Sequence, residues 1–321
     1  MTEAASSPFV PAPSMHLHDV DQLNHAVSGS DLELLQLKAG RLDATLTQTS
    51  LGNLSLDQGK INQPLRASGC LDRQRFGVGI FHEGARATWN GYHVDASQLL
   101  FYAPGRELSG YASADYSWTS LVIPPEWVES IALTAWRSNM LHVRSDCRML
   151  RPSPSKLADL WHAVAPIVLS GQAPTAALEC ADWLTADVRN ALGGALSVLD
   201  VPPVKAMSRT LGHFSTARRA ERCMRERMAE PLCIDDICLA LRVSRRYLEY
   251  AFLDAFGCSP SRYLRLMRLH QVRRRLKSFG DETTVTDEAI RFGFNHLSLF
   301  SLQYKKAFGE SPSMTLALST K

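Results

Sequence analysis

No Cys-x-x-Cys pair occurs in the 321-residue chain. The seven cysteines stand singly at positions 70, 147, 180, 223, 233, 238 and 258. The paired spacing of a structural zinc site is therefore missing, and each thiol reads as a small apolar residue in a reducing compartment. No apolar run reaches the roughly 18 residues that a membrane helix needs. The Ala/Ser/Pro-rich opening, positions 1–13, lacks the basic start and apolar core of a secretory signal. Residues 1–30 read as a flexible tail, and the protein as cytoplasmic, without a membrane partner. Tryptophan is missing from the C-terminal third, since all six lie at positions 89, 118, 127, 136, 161 and 183.

Charge is unevenly placed. Residues 211–321 carry 19 Lys+Arg against 12 Asp+Glu, whereas residues 1–210 carry 16 against 20. The C-terminal third is the part that faces a polyanion. It also contains a repeat. Ala255-Phe256-Gly257-Cys258-Ser259-Pro260-Ser261 returns, one residue changed, as Ala307-Phe308-Gly309-Glu310-Ser311-Pro312-Ser313. Leu248 and Phe252 map onto Phe300 and Tyr304 at the same offset of 52, while Ile234, Asp236 and Val243 map onto Val285, Asp287 and Phe294 at 51. A slip of one between matching stretches is what a turn of variable length produces. Each copy reads as helix, short turn, helix, then a stop at Gly. Two such units on a basic background predict a reader of two DNA groove segments.

Composition divides the remainder. Residues 31–123 hold short runs rich in branched and aromatic residues: Leu32–Leu37, Leu42–Thr49, Leu54–Leu56, Phe76–His82, Leu99–Tyr102 and Tyr116–Ile123. Turn punctuation such as Leu51-Gly52-Asn53 and Trp89-Asn90-Gly91 separates them, which predicts a barrel or jelly roll. From Pro124-Pro125 the period becomes helical across 124–192. Leu157, Leu160, Trp161, Val164 and Val168 make one stripe; Ala177, Ala181, Leu184, Val188 and Leu192 make another. These stripes either cap the barrel or pair with a second subunit. Gly193-Gly194 and Pro202-Pro203 mark a linker over 193–212.

In the segment 213–321, a first support helix is expected at Ala217–Met228. The first helix-turn-helix spans about 234–256: Ile234–Leu241, a turn at Arg242-Val243, and Ser244 capping Arg245–Phe256. Leu248, Phe252 and Ala255 face inward. Arg245, Arg246, Glu249, Tyr250 and Leu253 face out, and Arg246 and Tyr250, one turn apart, are placed to reach base edges. Ser259-Pro260 starts an Arg-rich helix to about Ser278. At ~18 residues it spans ~27 Å, a length suited to holding two units about one DNA turn, ~34 Å, apart. The second unit spans about 285–308. Its recognition helix leaves Asn295, His296, Leu297, Ser298, Ser301, Leu302 and Lys305 outside, and Lys305 and Lys306 are expected on phosphates.

These motifs resemble the DNA-binding domain of the AraC/XylS family of bacterial transcription regulators. The first unit matches through Ile234, Val243-Ser244-x-Arg246-x-Leu248, Phe252, Gly257 and Ser259-Pro260-x-x-Tyr263, with Arg268-Leu269 in the linker helix. The second matches through Val285-Thr286-Asp287-x-Ala289, Gly293-Phe294, Phe300-Ser301, Tyr304-Lys305 and Phe308-Gly309-x-Ser311-Pro312. The resemblance implies promoter DNA and RNA polymerase as partners, with Arg246, Glu249 and Tyr250 reading bases in the first unit. His296, Leu297, Ser298, Ser301 and Leu302 would face DNA in the second. Many family members carry Arg where this chain has Tyr250 and Leu302. That departure leaves Arg246 as the main hydrogen-bonding base reader. Leu297 and Leu302 either touch thymine methyls or sit over the backbone, in which case the second unit contributes position more than sequence. His296-Leu297 before Phe300-Ser301, with Pro312-Ser313-x-Thr315-Leu316, resembles a subgroup that includes ethanolamine-utilisation regulators.

In this family the additional domain is often a cupin-like β-barrel that binds an effector and helps dimerise. The fold expected is thus α+β: an N-terminal cupin-like barrel with following helices, then an all-α double helix-turn-helix. Metal cupins need a clustered His-x-His, a Glu and a distant His. His82-Glu83 and His93 are present, but His-x-His occurs only as His16-x-His18 in the expected tail, so no metal and no cofactor are expected. Trp89, Tyr92 and Trp118 are the residues expected at an effector of unidentified chemistry. Three readings stand: an effector-responsive activator, homodimeric and without enzyme activity; a regulator whose N-terminal domain only dimerises or docks a protein; and a cupin enzyme fused to a DNA-binding domain.

Overall fold

A computed structural model describes residues 10–11, 14–27, 31–135, 147–170, 181–197, 205–279 and 283–319. The strands are β1 (Val10–Pro11), β2 (Met15–Leu17), β3 (Asp31–Gln36), β4 (Ala44–Leu51), β5 (Leu54–Ile61), β6 (Leu65–Cys70), β7 (Phe76–Phe81), β8 (Ala87–Trp89), β9 (Tyr92–Val94), β10 (Leu99–Tyr102), β11 (Glu107–Ala112), β12 (Tyr116–Ile123) and β13 (Cys147–Leu150). The larger antiparallel sheet runs β1-β4-β5-β12-β7-β10-β13, with β2 also on β4; the smaller runs β3-β6-β11-β8-β9. Asn90 and Gly91 join β8 to β9 with φ of +50° and +85°, the two left-handed residues that an Asn-Gly hairpin turn requires.

The sheets stack face to face without closing, so the N-terminal part is an open, cupin-like sandwich where a barrel was expected. Strands of two to four residues at the ends of the larger sheet are too short to reach across. Period-2 alternation gives the larger sheet two apolar faces. Leu46, Ile61, Phe81, Leu100 and Tyr116 pack toward the smaller sheet. Val78, Ile80, Phe101, Leu121 and Ile123 pack the other way, onto helices α2 (Pro125–Ala135), α3 (Pro154–Ser170) and α4 (Ala181–Leu196). Leu160, Val164, Leu184, Val188 and Leu192 are all buried there. Among the described residues, the two helical stripes therefore pack on the sheet of their own chain. Residues 171–180, part of the second expected helix, lie outside the described residues.

The expected tail is corrected in its second half. Residues 15–27 hold β2 and α1 (Val20–Ala26), with Leu23 at 1% exposure in the inter-sheet core. Asp19 caps α1 by accepting from the backbone N–H of Asp21 at 2.9 Å. The expected linker is shorter than 193–212. Residues 193–196 finish α4, and α5 (Lys205–Glu226) begins well before the support helix foreseen at Ala217; positions 198–204 lie outside the described residues.

Then come α6 (Ile234–Leu241), α7 (Arg245–Phe256), α8 (Pro260–Ser278), α9 (Val285–Arg291), α10 (Leu297–Phe308) and α11 (Pro312–Ser319). Their core centres on Phe252, Phe256, Tyr263, Phe300 and Tyr304, and it takes in Leu35 and Leu37 from the end of β3 and the loop after it. Arg66 of β6, 1% exposed, enters the same interface. It donates to Glu221 Oε2 of α5 at 2.6 Å and to Ser109 Oγ at 2.9 Å, and stacks on the Phe256 ring at 4.5 Å. The Tyr263 hydroxyl donates to the other oxygen of Glu221. Burial opposes charge on Glu221, but Arg66 and Tyr263 hold its carboxyl below the usual range.

Ion pairs continue along α8. Arg273, 7% exposed, meets Asp19 and Asp21 at the start of α1 and Glu310 before α11; Lys277 meets Asp21 at 2.6 Å, and Arg274 meets Glu33 at 2.7 Å. Much of the basic excess read from composition is thus matched to the acidic face of the first domain.

Candidate nucleic-acid interface and inter-sheet cavity

The first recognition helix is α7. Its entry turn puts Arg242 in the left-handed region at φ +56°, and Ser244 accepts from the backbone N–H of Tyr247 at 3.2 Å. Leu248, Ala251, Phe252, Ala255 and Phe256 are buried, which fixes the rotation of the helix. Arg245, Arg246 and Tyr250 are exposed and Glu249 is half-buried. The Arg246 guanidinium lies 5.7 Å from the Tyr250 ring centroid and 3.4 Å from its hydroxyl, so the two form one polar edge. Arg245 turns back to Asp235 of the support helix at 3.3 Å. Tyr247, which the sequence reading passed over, packs edge-on against His213 of α5, and His213 and His93 both approach Asp254 of α7.

The second recognition helix is α10. His296 precedes it without a side-chain cap. His296, Leu297, Ser298, Ser301, Leu302, Lys305 and Lys306 are all exposed, while Phe300, Tyr304 and Ala307 are buried. Leu299 is exposed as well, at 51%. It falls off the inward stripe of 300, 304 and 307, and that spacing was the available signal. Between the units lies an open groove of about 560 Å³, bordered by Arg245, Arg265, Arg268, Asn295, His296 and Leu299. Arg268 spans its floor: it donates to the Glu230 carbonyl at 2.9 Å, and its guanidinium lies under Gly293 in the turn of the second unit.

The geometry is therefore two helix-turn-helix units on one connecting helix, each with a solvent-facing recognition helix. A family model described as a helix-turn-helix domain matches residues 237–317. The C-terminal part belongs to the AraC/XylS family. The chain is 34% identical over 88 residues to the probable thc operon regulatory protein of Rhodococcus erythropolis, covering 27% of this chain and 26% of that one. It is 37% identical over 78 residues to the HTH-type transcriptional activator RhaS of Pectobacterium atrosepticum, covering 24% and 26%. A solved structure, the AraC-like transcriptional activator CuxR, is 16% identical, covers 82% of this chain and 96% of its own, and gives a TM-score of 0.44. The chain matches only about a quarter of the length of the curated relatives named here.

Away from the AraC-type domain, the two sheets line a partly open cavity of about 120 Å³. Trp89 and Trp118 line it with Phe81, Tyr102 and Tyr116; Tyr92 packs against the inter-sheet core outside the lining. Trp89 Nε1 donates to the Tyr116 hydroxyl at 3.1 Å, and Tyr116 stacks on Trp118 at 5.6 Å. Burial pushes the Tyr116 hydroxyl well above its ordinary range. His82 and His93 are engaged separately. His82 meets Thr119 and the edge of Trp161, and burial holds its ring below the ordinary imidazole range; His93 meets Thr88 and Asp254. Asp57, absent from the sequence reading, stands in the cavity wall.

Proposed function

We propose that this protein is an effector-responsive transcription activator, not an enzyme, which works in the cytoplasm on promoter DNA as a homodimer and contacts RNA polymerase. The observation that carries this reading is the joining of two exposed recognition helices, through α8, to a domain that holds a cavity. Arg246, Glu249 and Tyr250 read bases. Arg245 positions the first unit; His296, Leu297, Ser298, Ser301 and Leu302 seat the second; Lys305 and Lys306 contact phosphates. Trp89 and Trp118 contact the effector and Tyr92 supports them. Because α3 and α4 cover their own sheet, dimerisation uses another surface of the first domain.

The cavity and the DNA face share one element. Leu23 and Val27, in and just after α1, line the cavity, and Asp19 and Asp21 at its start hold Arg273 and Lys277 of α8. A ligand that displaces α1 releases the helix that carries both units. Operator binding measured with and without Arg246→Ala, across a salt series, tests the reading. Wild-type affinity should fall steeply with salt through counterion release, and the variant should lose sequence preference. A protein whose DNA affinity ignores both salt and sequence would refute it.

A further inference from the structure

Besides the Trp89 indole and the hydroxyls of Tyr102 and Tyr116, the cavity wall has one polar row. Gln48 of β4 stands opposite Asp57 of β5, Asp57 opposite Ser120 of β12, and Ser120 opposite Gly79 of β7. Asp57, Ser120 and Gly79 all line the cavity. Ser120 and Gly79 are small, so space opens in front of the carboxylate. Asp57 Oδ1 accepts from Gln48 Nε2 at 3.1 Å. Among the described residues, Gln48 is the side chain that hydrogen-bonds Asp57, and the cavity lining contains no Lys, Arg or His. Arg75, the cation whose field reaches Asp57, is itself paired to Asp72 at 2.9 Å and donates to Ser55 at 3.0 Å.

A half-buried carboxylate held by a single amide, with no cation in the cavity lining, is favoured by a proton or a cation that neutralises it. A carboxylate ligand would set two like charges side by side. A ligand without a charge would leave Asp57 uncompensated. The lining also includes the rings of Trp118, Tyr116 and Phe81, which suit an apolar ring and favour a nearby cation. The volume is slightly below the ~150 Å³ in which a cavity lined by Leu, Ile and Phe holds benzene.

We propose that the cavity takes a small organic ammonium ion with a single apolar ring, its N–H groups donating to Asp57 and Ser120 and its ring against Trp118 and Tyr116. This deepens the effector reading above and rests on the same cavity. Burial, opposed by the Gln48 hydrogen bond and the Arg75 charge, pushes the Asp57 carboxyl up to about 6 in the absence of ligand. A bound ammonium ion draws it back down, so binding below that point must expel a proton. Affinity for the amine therefore weakens about tenfold per pH unit below the Asp57 titration.

The test uses the full chain and three probes about the size of benzene, cyclopentylamine, cyclopentanol and cyclobutanecarboxylate, titrated by calorimetry and tryptophan fluorescence near neutral pH. Cyclopentylamine should bind about tenfold or more tightly than the alcohol, the ratio a hydrogen bond to a charged group confers. Cyclobutanecarboxylate should bind weakest. Asp57→Asn should abolish the preference for the amine and keep the alcohol's affinity, which also shows that the cavity is still formed. The proposal is overturned by the carboxylate binding as well as the amine, by Asp57→Asn binding the amine with undiminished affinity, or by no probe binding at millimolar concentration. The effector reading has its own readout: an amine that occupies the cavity while operator affinity stays constant upholds the ligand class and removes the regulatory role.

Discussion

In the first helix-turn-helix unit, the turn carries Arg242 at φ +56°; in the second, the same place holds Gly293 at φ +80°. The caps show the opposite pattern. Ser244 caps α7 with its hydroxyl, whereas His296 offers α10 no side-chain cap. A strained turn with a good cap faces a relaxed turn without one. The position that differs between the two seven-residue copies separates them further. Cys258 is buried, with its thiol pushed up to about 12 by burial. Glu310 instead pairs with Arg273 at 3.0 Å, and Arg273 also holds Asp19. Next to Cys258, Gly257 lies so close to the Tyr111 ring that an added Cβ would stand 2.6 Å from it. The first unit is fastened to the β-domain by packing around a buried pair, the second by partly accessible ion pairs. Copies alike in sequence are anchored by different physics.

The comparison breaks most readily at the anchors. Glu221→Ala should destabilise the full chain by about 3–5 kcal/mol, because it strands the buried Arg66. Glu310→Ala should cost less, about 1–2 kcal/mol, since Arg273 keeps Asp19 and Asp21. Urea unfolding of both variants decides, and equal losses would erase the distinction.

On DNA, Arg246→Ala should weaken operator binding by about 1–3 kcal/mol and relax one base preference. Leu302→Ala should change it by about 0.5 kcal/mol or less. Lys305→Ala should weaken all sequences alike and lower the salt slope by about one. Fluorescence anisotropy on operator variants separates these outcomes; a larger effect from Leu302 than from Arg246 would transfer base reading to the second unit.

Acid should act near the second unit first. His270 of α8 stacks edge-on with Phe308, and burial lowers its ring from the ordinary 6.5 to about 3. The unfolded chain then takes up a proton that the folded one refuses. Stability is full above about pH 6.5 and falls as pH drops, by up to about 1.4 kcal/mol per unit. Asp57, whose carboxyl sits near 6, contributes the opposite slope in the same window. The measurement is therefore made on Asp57→Asn, where unfolding midpoints between about pH 6.5 and 5 should fall with acid and His270→Gln should flatten the curve.

The smallest effects sharpen the contrast of turns and caps. Ser244→Ala should cost about 1 kcal/mol, and His296→Ser should stabilise by up to a similar amount. Gly293→Ala should cost about 1–2 kcal/mol for an L side chain in the left-handed region, where Arg242→Gly should gain a few tenths. Thermal unfolding reads all four.

The C-terminal domain was legible because its signals are local. The duplicated Ala-Phe-Gly segments, the Ser and Gly caps and the 3.6-residue stripes place α6, α7, α8, α9 and α10 within a residue or two. In the first domain, the branched and aromatic runs at β3, β4, β7, β10 and β12 stand out in the same way. The two central strands of the smaller sheet do not: Leu65–Cys70 and Glu107–Ala112 contain Gly, Ser and Ala, which carry little strand preference. β13 and α1 are too short for periodicity to detect. The anchor Arg66–Glu221–Tyr263 joins residues 155 and 42 positions apart, and Asp57 is a single charge on the inward side of a strand. Neither leaves a pattern along the chain. Both appear only when strand register and domain packing bring the partners together.

The aspartates of α1 have a kinetic meaning. They occupy Arg273 and Lys277 as phosphates would, in the manner of a built-in polyanion. While α1 is seated, that charge is hidden from approaching DNA. If a ligand lifts α1, two cations of the connecting helix are freed at once, and the field that draws in the promoter strengthens. The association rate, more than the lifetime of the complex, then carries the signal, and it does so most strongly at low ionic strength.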